Sequence, residues 1–347
     1  MTIAVGLVGF GLAGRVLHAP LIRASGMEIV GVVSSQRDAV NAMLPAAQVC
    51  SDLAALLPLP QLDLVVIATP NDLHEPQVLA ALAAGKHVVV DKPMALDVAG
   101  SERMMRAAGD ARRLLVPFHN RRWDSDFLTV QQLIASSQLG AVHTYEAYWD
   151  RFRPEVPDRW REYDAHGGGV LFDLGTHLID QALTLLGMPD WLQADVYCQR
   201  AEARVDDAFE IRMGRGRMRF VLGASALAAQ VRPRFRVSGE RACYVKQGID
   251  PQEDQLRAGM RPDSGGFGLE PASMHGQLTV GDSQAASSVA SERGCWRTFY
   301  GAVRASIETG AAPPVTAMQA RQVLALIEAA RLSSRTGARV PLGTAPA

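Results

Sequence analysis

The chain has 347 residues, of which 48% are hydrophobic and 20% are charged. This length exceeds the usual size of a single hydrophobic core, so two domains are expected. The 35 basic and 36 acidic side chains leave a net charge of -1, which gives no electrostatic basis for binding nucleic acid or an anionic membrane.

The spacing of the cysteines and the first residues of the chain bear on the cellular compartment in which the protein is expected. The four cysteines are widely spaced and form no C-x-x-C pair, which argues against a disulfide framework or a zinc cluster and suits a reducing environment. The opening MTIAVGLVGFG begins a strand pattern at once, without the charged start and long apolar core of a signal peptide. No run approaches about 18 apolar residues, so no transmembrane helix is expected. We expect a cytoplasmic protein that binds neither nucleic acid nor membrane.

The first third of the chain alternates short apolar runs with helical patterns. Five runs predict strands, at Ile3–Val8, Ile29–Val33, Leu64–Ala68, His87–Val90 and Leu114–Phe118. Helical periodicity lies between them, at Arg15–Ala24, Asp52–Leu57, Asp72–Ala84 and Val98–Ala111. Continuous apolar strands separated by helices are typical of a parallel sheet covered on both faces. Residues 1–120 are therefore predicted to form a doubly wound α/β domain.

The pattern changes after the fifth strand. A helix at Ser125–Ser137 precedes period-two stretches such as AFEIRMGRGRMRFVLGAS, which are typical of antiparallel strands. The segment Gly265–Ser291 is rich in Gly, Ser and Pro and predicts a long loop, and helices at Trp296–Glu308 and Met318–Thr336 close the chain. Residues 121–347 are therefore predicted to be an α+β domain with a large, open, mostly antiparallel sheet. An apolar face left over on that sheet predicts a homodimer or a higher homo-oligomer.

A glycine motif follows the first predicted strand and opens a helix. In this context G-x-G-x-x-G is typical of the Rossmann fold, because the glycines let the backbone approach a pyrophosphate while the helix N-terminus supplies amide donors. The residues predicted to bind the cofactor here are Gly9, Phe10, Gly11, Leu12, Ala13 and Gly14.

The end of the second predicted strand bears on the choice of cofactor. A site for NAD would place Asp or Glu there to hold the ribose 2′-hydroxyl. This chain instead has Ser34 and Ser35, with Arg37 close behind, and hydroxyls with a guanidinium can bind a 2′-phosphate. The sequence favours NADP(H), with NAD(H) as the alternative. The other interpretation of Arg37 is a solvated surface residue.

A later helix pattern, GGGVLFDLGTHLIDQALTLLG, combines a glycine run with a polar stripe. Asp173 and His177 lie four residues apart, which on an α-helix places both on one face. The simplest interpretation is that this stripe faces water. A metal site formed with His166 is rejected because no further ligands lie at suitable spacing, so no metal is expected.

Several stretches together resemble the Gfo/Idh/MocA oxidoreductases over nearly the whole chain. They are GFGLAG, the segment ATPNDLHEPQVLAALAAGKHVVVDKPMAL, and GGGVLFDLGTHLID. FHNRRWDSDFLTVQQLI, DRFRPEVPDRWRE and GIDPQEDQLRAGMRP resemble the bacterial NADP-dependent scyllo-inositol dehydrogenase branch of that family. The family usually has Glu-Lys-Pro, whereas this chain has Asp91-Lys92-Pro93, so the carboxylate is one methylene shorter.

The resemblance implies a catalytic set. In that family the Lys of Lys-Pro and the Asp and His of the D-x-x-x-H helix meet at the nicotinamide, which implies catalytic roles for Lys92, Asp173 and His177. Oxidising an alcohol removes a hydroxyl proton as hydride leaves the same carbon, and a neutral imidazole is a suitable base near neutral pH. Lys92 would hydrogen-bond the reacting oxygen, and Asp173 would hold the substrate hydroxyl and orient the other two groups.

The resemblance also implies contacts along the nicotinamide half of the cofactor and a cis peptide before Pro93. The residues concerned are Thr69, Pro70, Asn71, His74, Asp91, Lys92 and Asn120. Candidates for a lid or substrate wall are Arg153, Trp160 and Arg161, for which a surface ion-pair cluster is the alternative.

The expected function is an NADP-dependent oxidoreductase acting on a secondary alcohol or ketone of a cyclic polyol or sugar. Two alternatives exist within the same family: a catalytically silent NADP-binding sugar sensor, and an NAD-using glycosidase. The intact Lys92, Asp173 and His177 argue against the sensor, and the absence of an acid at Ser34 argues against the glycosidase.

Overall fold

The computed structural model describes residues 2–158, 160–164 and 166–343, which form two compact units. The first unit comprises the described residues of Met1–Trp123, Pro251–Gly268 and Cys295–Arg321. The second comprises those of Asp124–Asp250, Leu269–Gly294 and Gln322–Ala347. Two segments from later in the chain therefore fold with the first unit.

The first unit is built on a six-stranded parallel sheet. Its strands are β1 Ala4–Val8, β2 Glu28–Val33, β3 Gln48–Cys50, β4 Leu62–Ile67, β5 His87–Val90 and β6 Leu115–Pro117. Their order, β3-β2-β1-β4-β5-β6, reverses direction beside β1, as in doubly wound dinucleotide-binding folds. All five residues of β1 are buried, because helices cover both faces of the sheet. The predicted doubly wound α/β fold is confirmed.

Within the described residues, the first unit contains seven α-helices besides this sheet. They are α1 Ala19–Ala24, α2 Arg37–Met43, α3 Leu53–Leu56, α4 His74–Ala83, α5 Val98–Ala111, α8 Gln252–Arg257 and α9 Arg297–Thr309. The late helix α9 and the residue before it add three large buried aromatic side chains to the core, Trp296, Phe299 and Tyr300. The core of this unit is therefore completed by residues nearly 300 positions from its first strand.

The second unit is built on a nine-stranded mixed sheet of order β14-β13-β12-β11-β7-β10-β9-β8-β15. Its strands are β7 Val142–Tyr148, β8 Trp191–Tyr197, β9 Ala208–Arg215, β10 Met218–Ser225, β11 Phe235–Gly239, β12 Ala242–Lys246, β13 Gly276–Val280, β14 Ala286–Val289 and β15 Val340–Pro341. Among the described strands of this sheet, β7 and β10 pair in parallel and the other pairs are antiparallel. The predicted large and mostly antiparallel sheet is confirmed.

Three helices belong wholly or mostly to this unit: α6 Ser125–Ala135, α7 Thr176–Leu186 and α10 Ala317–Thr336. None of the helices in the described part of the chain is both long and apolar enough to cross a bilayer. The predicted loop at Gly265–Ser291 is wrong in part, because it contains the hairpin of β13 and β14 at one edge of the sheet. The small, mostly exposed side chains of β14 lack the alternation that predicts a strand.

The two faces of the second sheet differ in character. Along β7, Tyr145 and Ala147 are buried, whereas Glu146 between them is partly exposed. Charged pairs occupy the more exposed face, including Glu210 with Arg212 at 2.7 Å. The expectation of a leftover apolar face is therefore wrong for these strands, since that face is largely polar.

Candidate functional site

The glycine loop of the first unit leaves a cradle for a phosphate group. Gly9 has φ +95°, and a Cβ on it would lie 2.6 Å from the carbonyl oxygen of Ala68. A Cβ on Gly14 would overlap the carbonyl oxygen of Gly9, so the loop packs against itself where these glycines lie. A Cβ on Gly11 would meet nothing within 4 Å, so the backbone there is open to close approach. These residues fit the pyrophosphate of a dinucleotide.

The segment after the loop begins with a π-helical turn rather than the predicted α-helix. This turn spans Ala13–His18 and leads into α1. Of the motif residues between the glycines, Leu12 is 45% exposed, whereas Phe10 is 2% exposed and packs into the hydrophobic core. Any contact of Phe10 with a cofactor is therefore limited to its backbone.

The residues after β2 form an open polar loop. The Ser34 hydroxyl accepts a hydrogen bond from the Gln36 backbone N–H at 2.9 Å. Ser35 and Arg37 are exposed, and Arg37 begins α2. Within the described parts of the chain, no carboxylate lies within ion-pair distance of the Arg37 guanidinium. That guanidinium is therefore accessible to an anion.

His74 ties together two loops at the carboxyl edge of the first sheet. Its ring is fully buried, with Nδ1 at 2.8 Å from the Pro93 carbonyl oxygen and Nε2 at 3.1 Å from the Thr69 carbonyl oxygen. Burial lowers the pKa of His74, although the two carbonyl oxygens oppose that shift. Both ring nitrogens thus contact the backbone, so His74 supports the loop of Thr69, Pro70 and Asn71.

Asp91 and Lys92 follow β5 in the same region. Asp91 Oδ1 accepts a hydrogen bond from the Lys92 backbone N–H at 2.8 Å, and the peptide between Lys92 and Pro93 is cis, as predicted. Burial raises the pKa of the Asp91 carboxyl, but His18 and Lys92 outweigh it and hold the pKa at about 2. Asp91 is therefore ionised at neutral pH. Asn120, after β6, is 4% exposed.

In the second unit, Asp173 and His177 lie on two different kinds of helix. Asp173 is in a π-helical turn, Leu171–Gly175, and His177 is in α7. The expectation of regular α-helical spacing between them is therefore wrong, because the π turn intervenes. Such turns often mark functional sites.

The polar stripe of this helix does not simply face water. His177 is only 6% exposed, and its ring centroid lies 6.0 Å from that of Trp149. Asp180, three residues further along the helix, is also buried, whereas Thr184 beyond it is exposed. Asp173 is partly exposed and lies 3.6 Å from Arg161 between Oδ1 and Nη1.

The glycine run before this helix makes room for a carboxylate of the chain itself. Gly169 has φ +90°, and a Cβ on it would overlap the Asp206 side chain. Asp206 Oδ2 accepts a hydrogen bond from the Leu171 N–H at 2.7 Å, at the first residue of the π turn. Burial raises the pKa of Asp206. Sequence reasoning missed this residue because its partner is 35 positions away and no local motif marks it.

A buried polar network lies one turn further along α7 from His177. Arg234 Nη2 donates to Gln181 Oε1 at 2.6 Å, and Arg234 Nε lies 3.2 Å from Asp126 Oδ2. The Arg234 guanidinium also lies 5.1 Å from the ring centroid of Trp149, which contacts His177. These residues join α6, α7 and the residue before β11, and none of them was predicted from sequence.

The three candidate wall residues have different contacts in the structure. The Arg161 guanidinium lies over the Trp160 ring at 5.2 Å and beside Asp173. Arg153 has an exposed side chain, and its backbone N–H donates to the Ala226 carbonyl oxygen at 2.7 Å. The structure therefore brings Arg161 to Asp173 and gives Arg153 a different environment.

Two domain models of one protein family match most of the chain. Residues 3–119 match the NAD-binding Rossmann fold of the GFO_IDH_MocA oxidoreductase family. Residues 131–342 match the C-terminal alpha/beta domain of the same family.

Individual relatives are similar to this chain over nearly their full lengths. The chain is 38% identical to the scyllo-inositol 2-dehydrogenase (NADP(+)) IolW of Bacillus subtilis, over 96% of this chain and 94% of the relative. It is 41% identical to the oxidoreductase YdgJ of Escherichia coli, over 94% of each chain. It also superposes on the structure of the Bacillus subtilis oxidoreductase YvaA with a TM-score of 0.96, at 38% identity over 99% of both chains. The chain is thus an oxidoreductase that belongs to the Gfo/Idh/MocA family.

Proposed function

We propose that this protein is an NADP-dependent oxidoreductase that acts on a secondary alcohol or ketone of a cyclic polyol or sugar. The observation that carries the proposal is the similarity, over nearly the full length of both chains, to a relative named as an NADP-dependent scyllo-inositol 2-dehydrogenase. The exposed guanidinium of Arg37 after β2 and the nearby hydroxyls of Ser34 and Ser35 support the choice of NADP(H) over NAD(H).

The glycine loop would hold the cofactor pyrophosphate, and the segments around Thr69, Asp91 and Asn120 would line its nicotinamide half. A bound nicotinamide supplies or accepts the hydride. The proposed contacts of this half follow from the family resemblance and from the position of these segments after the carboxyl ends of β4, β5 and β6.

Proton handling is assigned to Lys92, Asp173 and His177. We assign to His177 the role of general base, which accepts the hydroxyl proton at a ring nitrogen during oxidation and returns it during reduction. Lys92 would donate a hydrogen bond to the reacting oxygen. Asp173, which lies beside Arg161, would accept one from a substrate hydroxyl. Arg161 and Trp160 would form part of the substrate wall.

NADPH absorbance during incubation with inososes, and NADP reduction with inositols and common hexoses, tests this function. We expect turnover with a cyclic polyol or its ketone, and stronger activity with NADP(H) than with NAD(H). Tight NADPH binding without turnover of any of these compounds would favour a sensor instead. Release of a sugar from a glycoside with only catalytic NAD would favour the glycosidase.

We further propose a cytoplasmic homodimer. The four free cysteines, in a chain with no disulfide, support a reducing compartment. The large sheet of the second unit offers a surface suited to self-association, although its exposed side chains are largely polar.

A further inference from the structure

A buried histidine stands beside the Asp91 carboxylate in the first unit. His18 is the last residue of the π-helical turn Ala13–His18 and is fully buried. Its ring packs against Phe118, with 4.3 Å between the ring centroids. The glycine motif explains neither the burial of His18 nor its position. Buried polar atoms normally have hydrogen-bond partners, so the surroundings of its two ring nitrogens need a separate explanation.

The two ring nitrogens of His18 have different surroundings. Nδ1 lies 2.6 Å from the hydroxyl oxygen of Tyr300, a fully buried residue of α9. Nε2 lies 3.9 Å from Asp91 Oδ2, which is beyond hydrogen-bond distance. Nε2 is buried and has no hydrogen-bond partner among the residues that the structure describes.

These contacts favour one tautomer of the His18 ring. Burial raises the pKa of Tyr300 well above its ordinary value, so the phenol keeps its proton and can donate to Nδ1. The ring proton of a neutral imidazole then lies on Nε2, directed at the carboxylate. The opposite tautomer would turn a lone pair toward an ionised Asp91. The other groups that act on Asp91 are Lys92 and His74.

We propose that His18 is a positioning residue for the Asp91–Lys92 turn, with Tyr300 holding the His18 Nε2–H toward the Asp91 carboxylate. Because Asp91 Oδ1 accepts the Lys92 backbone N–H, restraint of this carboxylate also restrains the backbone that carries the Lys92 side chain. The 3.9 Å between His18 Nε2 and Asp91 Oδ2 exceeds a hydrogen-bond distance. The excess is about the length that one additional methylene would add to the side chain, since a C–C bond is about 1.5 Å long. A glutamate at position 91 can therefore bond to His18 directly.

The tautomer is measurable without substrate or cofactor, by NMR of the full-length protein labelled with ¹⁵N-histidine at pH 8. The His18 signals are identified by their loss in His18→Gln. We expect a neutral ring protonated at Nε2. Tyr300→Phe should shift the His18 signals toward a mixture of tautomers, whereas Tyr145→Phe, which removes an equally buried hydroxyl in the second unit, should leave them unchanged. A ring protonated at Nδ1, an imidazolium, or insensitivity to Tyr300→Phe would overturn the proposal.

Asp91→Glu tests the length of the contact. We expect the His18 Nε2–H signal to move downfield and its exchange with water to slow at least tenfold, as it becomes a charge-assisted hydrogen bond. No change in either quantity would show that Nε2 does not face this carboxylate.

The positioning role rests on the proposed function of Lys92 and is tested by kinetics. His18→Gln keeps an N–H donor near the Nε2 position, whereas His18→Leu of similar size removes it. We expect His18→Leu to lower kcat about tenfold or more and His18→Gln to recover most of that loss. Equal kcat values for the two folded variants would overturn the positioning role. If no polyol or sugar substrate is found, the proposed substrate class fails in the substrate assay, and the NMR experiments still decide the His18 contacts.

Discussion

His177 occupies a buried position on the polar side of its helix. Its exposure of 6% and its contact with Trp149 separate it from the solvated end of the same stripe at Thr184. The burial of His177 also changes what a truncation would do, because removing a buried ring leaves a cavity. A near-isosteric replacement therefore separates chemistry from stability better than alanine.

We predict that His177→Asn lowers turnover by roughly a hundred- to ten-thousand-fold, the contribution typical of general base catalysis. NADPH affinity should change little, because the proposed pyrophosphate contacts belong to the glycine loop of the first unit. Steady-state assays and NADPH fluorescence titration measure the two quantities. Thr184→Ala, on the exposed end of the same helix, serves as the control and should behave as the wild type. Near-normal turnover of His177→Asn from pH 6 to 9 would contradict the base assignment.

Arg37 is the residue on which the proposed preference for NADP(H) rests most directly. Arg37→Ala should weaken NADPH binding by about 1–3 kcal/mol, the cost of a lost charge-assisted contact, and should leave NADH binding unchanged. Isothermal titration with both cofactors measures the difference. Arg106→Ala removes another exposed arginine of the first unit and should affect neither. Equal loss for both cofactors, or no loss, would mean that Arg37 is a solvated surface residue.

At the scale of the element, a side chain from a distant part of the chain accepts a hydrogen bond from the start of the helical segment that carries Asp173 and His177. Asp206 accepts the Leu171 N–H, and Gly169 leaves the space that its carboxylate fills. Side-chain acceptors at helix starts satisfy backbone donors that have no partner within the helix. Asp206 thus couples the start of this helix to the segment that precedes β9.

Asp206 makes a testable contribution to the pH dependence of stability. Its pKa in the folded state is raised by burial, so the carboxyl contributes stability below its unfolded pKa and loses it as the pH rises through the folded pKa. We predict that Asp206→Asn, which keeps an acceptor but cannot ionise, gains in free energy of unfolding relative to the wild type as the pH rises from about 4 to 7. Urea denaturation at several pH values measures this difference.

Two further variants complete the test of Asp206. Asp206→Ala removes the acceptor and should cost about 1–2 kcal/mol. The exposed Asp195→Asn should show little effect at any pH. A constant difference between Asp206→Asn and the wild type across the pH range would show that the Asp206 charge is not penalised by burial.

At the scale of the whole molecule, the large sheet of the second unit is the feature that bears on self-association. In the second unit the nine-stranded sheet keeps one face with many exposed side chains. That face is polar, but protein interfaces outside their buried centres are about as polar as the rest of the surface. Its polarity therefore does not argue against association.

We predict a dimer with a mass of twice the 37.3 kDa chain. Multi-angle light scattering at protein concentrations from about 1 to 100 μM measures it. A dimer is expected because C2 dimers are by far the commonest homo-oligomers. Arg212→Glu, which reverses a charge on the exposed face of β9, should weaken the dimer if this face forms the interface. A single species at 37.3 kDa across the range would contradict the prediction.

The sequence by itself determined the doubly wound first sheet, the glycine loop and the family. Strands such as β1 and β5 are continuous apolar runs between helices, and the GFGLAG motif is contiguous, so both signals are local in the chain. The edge hairpin of β13 and β14 carried too little apolar alternation to be predicted.

Only the tertiary structure decided the contacts that support the candidate residues. His18 and Tyr300 are 282 positions apart, Gln181 and Arg234 are 53 apart, and the acceptor for Leu171 is 35 positions away. A pattern of residues shows which side chains share a strand or helix face, but not which distant segment packs against that face. The physical reason is that a buried polar group must find a partner in space, and folding brings that partner from a part of the chain to which no periodicity links it.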